Sequence, residues 1–300
     1  MSSVIETRGL GKRYGRAWAL RDCSLAIPAG RVVALVGPNG AGKTTLLHLA
    51  VGLTEPSAGD IVVLGDIRPG RDKALTRIGF VAQDTPLYPT LSVADTMRLV
   101  SCLSARFDEA HARARLAAID IPLSRKVGHL SGGQRSQVAL AVALARHPEL
   151  LILDEPVARL DPLARHEFMA ALMTAVAEDG ISVLLSSHVV SELERVCDHL
   201  VVLAEGRTQV IGDVEDLLAS HRVLTGPVGQ AEAVLGGAVV VSENRTERQA
   251  TLLVRDADRI TPLPSWQVQE TNLEEIVLSY LRFPQASALP GPALNRAVSA

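Results

Sequence analysis

The chain has 300 residues, room for one large domain or one domain plus an appendage, and its 47% hydrophobic residues suffice for a sizeable core. With 33 acidic and 30 basic residues the formal charge is −3, which argues against a chain whose main task is to coat nucleic acid. The longest unbroken apolar run, Val138–Ala145, falls far short of the roughly 20 residues a membrane span needs.

The opening MSSVIETRGLGKRYG has no apolar stretch of signal-peptide type. Cys23, Cys102 and Cys197 are odd in number and too far apart for a disulfide framework or a metal site, so the reducing cytoplasm is the expected compartment. Val32–Val36 predicts a strand that ends at Gly37, and a helical pattern, Thr44–Gly52, follows it. Ile61–Leu64 and Ile78–Val81 read as further short strands. Ser92 opens a helix, with Asp95 at capping-box spacing and Val93, Met97 and Val100 at helical intervals. Asp108–Ile119 reads as a second helix. Leu150–Leu153 and Ile181–Leu185 are wholly apolar, as expected of strands buried on both faces of a parallel sheet. Between them runs a helix capped by Asp161, with Pro162 in its first turn and Gly180 after its end. Val201–Leu203 and Gln209–Ile211 read as a strand pair, and a helix over Val214–Ser220 closes the main body. This alternation predicts an α/β layered domain over residues 1–220. Residues 221–283 change character: Ala238–Val241 and Thr251–Val254 read as strands and Asn272–Arg282 as an amphipathic helix, together a small accessory α/β domain. Pro284–Ala300, rich in Ala, Pro and Ser, predicts a disordered tail.

The chemistry begins after the Val32–Val36 strand. Gly37-Pro38-Asn39-Gly40-Ala41-Gly42-Lys43-Thr44 fits the phosphate-loop spacing G-x-x-x-x-G-K-[ST], with a strand before it and a helix after it. Its glycines let backbone N–H groups turn toward phosphate oxygens. Lys43 brings a charge to the β/γ-phosphates, the Thr44 hydroxyl can ligate Mg2+, and the helix offers its positive end. Leu150–Leu153 delivers Asp154 and Glu155 to the carboxyl end of a strand, where ligands sit in such sheets. Asp154 is placed to hold the metal shell and Glu155 to orient or deprotonate an attacking water. Leu130-Ser131-Gly132-Gly133-Gln134 opens another helix with a hydroxyl and two glycines, which reads as a second anion cradle or, standing alone, as an ordinary glycine-rich helix start.

In this order the motifs identify a family. The chain resembles the ATP-binding cassette (ABC) ATPases, the nucleotide-binding subunits of ABC transporters, over about residues 4–220. Tyr14 matches the aromatic that stacks on adenine, and Gly37 through Thr45 match the Walker A loop. Gln83 matches the Q-loop glutamine, Leu130–Gln134 the signature pentapeptide, and Asp154 and Glu155 the Walker B aspartate and catalytic glutamate. Leu160-Asp161-Pro162 matches the D-loop and His188 the switch histidine. The resemblance implies a P-loop core with a helical signature subdomain at about 84–146, ATP and Mg2+ as cofactors, and two cassettes packed head to tail. Lys43 and Thr44 of one would then face Ser131 of the other across a shared γ-phosphate. It further implies that Gln83 touches metal and water, that His188 holds the γ-phosphate and helps position Glu155, and that Asp161 communicates across the interface. The implied partners are a second cassette, most simply a homodimer, and an integral membrane permease, without nucleic acid; the implied place is the cytoplasmic face of the membrane.

The sequence departs from the family pattern at Val157-Ala158-Arg159, where a threonine and a glycine are usual, and at Ser136, usually longer and polar. Arg159 is expected either to crowd or charge the dimer interface or to pair with an acidic group opposite. Tyr88-Pro-Thr-Leu-Ser, Arg125-Lys-Val-Gly-His and Asn272-Leu-Glu-Glu resemble bacterial multidrug and antibiotic exporter cassettes. Arg8, Lys12, Arg13 and Arg16 read as a surface for an anionic partner or, better, as a solvated rim beside the nucleotide. Ribosome-acting cassettes usually carry two cassettes and a charged linker. DNA-repair cassettes are split by long heptad arrays, whereas only 47 residues separate Gln83 from Ser131. A regulatory cassette without net transport would carry the same motor.

Overall fold

The computed structural model describes residues 2–190 and 193–282; the predicted tail, 284–300, lies outside the described residues. An N-terminal hairpin, β1 (Ser3–Tyr14) and β2 (Ala17–Pro28), leads into β3 (Val32–Val36), α1 (Lys43–Val51), β4 (Ala58–Val63), α2 (Asp72–Leu75) and β5 (Ile78–Val81). A helical stretch follows, α3 (Val93–Leu103), α4 (Glu109–Ala117) and α5 (Gly132–Leu144), and then β6 (Leu150–Leu153), α6 (Pro162–Asp179) and β7 (Ser182–Ser187). The antiparallel pair β8 (His199–Ala204) and β9 (Arg207–Asp213) and helix α7 (Val214–Ser220) end the main body. Beyond it lie β10 (His221–Pro227), α8 (Ala231–Leu235), β11 (Val239–Arg245), β12 (Gln249–Arg255), β13 (Gln267–Gln269) and α9 (Leu273–Arg282).

The central sheet has six strands in the order β5-β6-β7-β3-β8-β9, parallel except for β9. Its inner strands are buried on both faces, and their side chains alternate between two cores. Val33, Leu35, Leu150, Ile152 and Leu184 face α1 and the three-stranded sheet β2-β1-β4. Val32, Ala34, Val36, Leu151, Leu153, Val183 and Leu185 face α5 and α6, around the fully buried Phe168. A third core, built on Val93, Met97, Leu116 and Val138, holds α3, α4 and α5 together.

The segment after His221 forms a four-stranded antiparallel sheet in the order β11-β12-β10-β13. One face has its own core around Leu224, Val254 and Trp266. Through the other face Val223, Val241 and Leu253 join Ile276, Val277 and Tyr280 of α9 to the core of the main body. His221, fully buried, bonds through its ring to the Leu217 carbonyl (2.7 Å) and the Tyr280 hydroxyl (3.0 Å), tying α7 to α9.

Several helices begin at capping residues, of which Ser92 and Asp161 are the caps read in the sequence. Ser92, Asp108, Ser131, Asp161 and Asp213 each accept a backbone N–H in the first turn of α3, α4, α5, α6 and α7. The α4 boundary is tighter than Asp108–Ile119, because Asp108 is the cap and Asp120 adopts a positive φ of 54° just beyond the helix end. The strands β1 and β2 have no counterpart among the elements read from the sequence. Repeated register shifts between them break the two-residue period on which strand recognition depends, and Leu10 and Gly11 are buried side by side.

Candidate functional site

The loop between β3 and α1 is shaped by close approach. A Cβ at Gly37 would sit 2.2 Å from the Leu203 carbonyl oxygen, and one at Gly42 would sit 2.5 Å from the Ala19 oxygen, with φ there at +103°. Gly42 is the N-cap of α1 and offers no side chain, so the first-turn N–H groups of α1 have no capping oxygen, unlike those of α3 to α7. An uncapped helix start preceded by such a loop is a cradle for phosphate. Lys43, only 5% exposed, donates from Nζ to the carbonyls of Gly37 (2.7 Å) and Pro38 (3.3 Å).

Two strands away, β6 ends at Leu153 and the chain turns sharply. Glu155 takes a positive φ of 45°, sparsely populated for a residue with a side chain. The turn points its carboxylate at Lys43 Nζ (3.3 Å), His188 Nδ1 (3.2 Å) and Gln83 Nε2 (3.4 Å). Asp154 lies behind it, 1% exposed, and accepts a hydrogen bond from Ser186 Oγ at 2.7 Å.

A cavity of about 600 Å3 opens over these groups, lined by Tyr14, Ala19, Asn39 through Thr45, Gln83, Glu155, Ala158 and His188. Of the residues singled out in the sequence, Tyr14, Asn39, Gly40, Ala41, Gly42, Lys43, Thr44, Thr45, Gln83, Glu155 and His188 therefore meet in one place. Gly37 and Pro38 stand behind the cavity as acceptors for Lys43, and Asp154 behind it as the neighbour of Glu155. Thr44, Gln83 and Asp154 supply the hard oxygen donors that Mg2+ prefers. Among the described residues no group of three or more His, Cys, Asp or Glu could hold a metal. Such a donor set fits an ion that keeps phosphate oxygens and water as its remaining ligands.

Ser131, Gly132, Gly133, Gln134 and Asp161 do not line this cavity. Ser131 and Gln134 form a complete capping box at the start of α5, and Asp161 caps α6 through the Ala164 N–H at 2.9 Å. The two helix starts abut: a Cβ on Gly133 would meet Ala164 Cβ at 2.7 Å. Arg159 is exposed, and its Nη2 pairs with Asp84 of its own chain at 3.2 Å, bridging the segment beside Gln83 and the approach to Asp161. Ser136 is buried within α5. The basic rim is locally engaged: Lys12 donates to the Glu55 carbonyl (2.7 Å) and lies 5.3 Å from the Tyr14 ring centroid, and Arg13 sits 5.7 Å from that of Trp18. Sequence reasoning missed Ser186, which no motif spacing marks.

The profile of the ABC transporter family matches residues 20–158. The Nod factor export ATP-binding protein I of Cupriavidus pinatubonensis is 37% identical over 227 residues, covering 74% of this chain and 70% of that protein. The thiamine import ATP-binding protein ThiQ of Shigella flexneri is 34% identical over 218 residues, covering 71% of this chain and 91% of that protein. Among solved structures, the ATP-binding subunit of an ABC transporter is 31% identical with a TM-score of 0.63, covering 71% of this chain and 91% of that one. A dimeric ATP-binding cassette in a post-hydrolysis state, bound to ADP and Pi, is 26% identical with a TM-score of 0.61, covering 70% and 98%. The chain belongs to the ATP-binding subunits of ABC transporters, and it is an ATP-binding ATPase coupled to transport.

Proposed function

We propose that this ABC cassette hydrolyses Mg2+-ATP in the cavity at the start of α1 and drives a separate membrane permease that exports a drug, an antibiotic or another small hydrophobic molecule. The observation that carries the catalytic reading is the convergence of Lys43, Gln83 and His188 on the Glu155 carboxylate. In this reading Tyr14 stacks on the adenine and the α1 N–H groups bind the phosphates. Lys43 neutralises the γ-phosphoryl oxygens, and Glu155, held by His188 and Gln83, takes the proton of the attacking water. Mg2+, when bound, supplies charge neutralisation at the phosphates, and Thr44, Asp154 and Gln83 would hold it. Two chains are required, because the signature residues Ser131–Gln134 lie apart from the cavity of their own chain. They would present the α5 N-terminus to the partner's nucleotide, with Asp161 beside it.

Two observations support the exporter reading: the 37% identical relative is named for export, and the C-terminal segment ends in the Leu-Glu-Glu helix α9. No helix among the described residues is long and apolar enough to cross a membrane; in this reading the permease is a separate polypeptide and the cassette sits at the cytoplasmic face. The test is recovery of Glu155→Gln with ATP from solubilised membranes and from cytosol. A stalled dimer bound to a polytopic membrane protein in fixed ratio is expected. Turnover at the wild-type rate would remove Glu155 from the mechanism, and recovery of ribosomes or DNA-bound proteins alone would overturn the transporter assignment.

A further inference from the structure

The outer part of β7 departs from the pattern of the central sheet. Val183, Leu184 and Leu185 alternate between two apolar cores, yet the next side chain in the alternation, on the α1 face after Leu184, is a serine with no exposed surface. A buried hydroxyl destabilises the fold unless its hydrogen bonds are made. Ser186 makes two, both to the acidic pair at the end of β6. It accepts the backbone N–H of Glu155 at 2.8 Å and donates to Asp154 Oδ1 at 2.7 Å.

The register places it there. β6 and β7 are parallel with Leu153 opposite Leu185, so Asp154 and Ser186 follow on neighbouring strands and share a face. A hydroxyl has one hydrogen. Given to the Asp154 carboxylate, it leaves the oxygen lone pairs for the Glu155 N–H, so the two bonds define one arrangement. That arrangement fixes the Asp154 carboxylate and pins the backbone of Glu155 at its unfavourable φ of +45°, the conformation that turns its side chain toward Lys43 and His188.

We propose that Ser186 is a positioning residue for hydrolysis: it sets the angle between the metal-side carboxylate Asp154 and the water-side carboxylate Glu155. It is fully buried and does not line the cavity. The proposal rests on the reading of Glu155 and Asp154 given above. A hydrogen bond to a charged group corresponds to about a tenfold to hundredfold change when lost. Because the adenine and phosphate contacts are untouched, the loss falls on kcat and on the response to Mg2+.

The experiment compares Ser186→Ala, Ser186→Thr and Glu155→Gln in ATPase assays at varied ATP and Mg2+, with ADP affinity and melting temperature measured for each. For Ser186→Ala the expected result is a kcat lower by about tenfold or more, an ATP KM within about twofold of wild type, and a raised Mg2+ requirement. Ser186→Thr, which keeps the hydroxyl, recovers most of kcat. Should the added methyl unfold it, the split between kcat and ADP affinity in a folded Ser186→Ala protein decides alone. Unchanged kcat and Mg2+ response in Ser186→Ala, with Glu155→Gln inactive, overturns the role of Ser186 and leaves the site intact. Parallel loss of ADP affinity and melting temperature in Ser186→Ala reduces it to a structural residue. Wild-type turnover in Glu155→Gln overturns the site reading itself.

Discussion

The ion pair between Lys43 and Glu155 makes a stability prediction separate from catalysis. The two side chains are 5% and 10% exposed and their charged atoms are 3.3 Å apart. At an effective dielectric of about 20, Coulomb attraction at that distance is about 5 kcal/mol before desolvation. Desolvation removes much of it, but deleting one partner leaves the other buried and less compensated, which typically costs about 3–5 kcal/mol. Glu155 keeps His188 and Gln83, and Lys43 keeps two carbonyls, so the expected losses lie at the lower end. Lys43→Met, which retains the apolar stem, and Glu155→Gln should each destabilise the protein by about 3 kcal/mol. The double variant should lose less than their sum, with a coupling of about 1–3 kcal/mol. Urea unfolding of all four proteins without nucleotide, at low and high salt, measures the cycle. The coupling should resist salt, since buried pairs are poorly screened. Additivity within about 0.5 kcal/mol would refute the argument and make the contact incidental.

Gly42→Ala places a methyl group 2.5 Å from the Ala19 oxygen at a φ of +103°, so the loop must shift; ATP affinity should fall at least about tenfold, read by fluorescent nucleotide titration. Phe168→Ala empties the core between the central sheet and α6 and should cost about 3–5 kcal/mol in urea unfolding. His221 is held below its usual pKa of 6.5 chiefly by burial, so the unfolded chain takes up the proton first. Its contribution to stability is therefore complete above about pH 6.5 and lost as the pH falls below it. His199, lowered likewise by burial, acts in the same direction, so His221→Gln should flatten the decline in urea midpoint between about pH 7 and 5 only in part. Arg159→Ala breaks an ion pair whose partners are 73% and 78% exposed, so stability should change by less than about 1 kcal/mol; a larger loss would show that Arg159 does more than pair with Asp84.

Legibility in the sequence followed the strength of local signals. The strands β3, β5 and β6 and helix α7 have the boundaries read from the sequence, because each is a short local run, as where Gly37 closes Val32–Val36. β1 and β2 were illegible because their register shifts scramble alternation. β10 was illegible for another reason: it carries Gly226, a poor strand former whose place is set by the Trp266 ring, 2.4 Å from where a Cβ would lie. No local pattern announces a packing partner forty residues away. The same distinction runs through the site. Ordered motifs marked the phosphate loop, Gln83, Glu155 and His188, and these meet in one cavity. Motif spacing carried nothing about Arg159, whose partner Asp84 is reached only through the fold.

Ser186 is the instructive intermediate case, since its signal was present in a form that motif matching does not use. Leu150 and Ile152 face the α1 core, so period-two alternation carries Asp154 to that face. Leu184 faces the same core, so the alternation carries Ser186 there too. Two neighbouring parallel strands thus each follow a buried apolar residue on one face with a polar one. Burial of either alone is unfavourable, and burial of the two together is relieved by a hydrogen bond between them. The parity of two strands, combined with their order in the sheet, pairs Ser186 with Asp154 without reference to any motif. The sequence alone lacks the strand order and the register, which the adjacency of β6 and β7 and the opposition of Leu153 and Leu185 supply. The placement of Glu155 then follows: its N–H needs an acceptor at the sheet end, the Ser186 oxygen is the acceptor within reach, and the backbone adopts a left-handed turn to meet it.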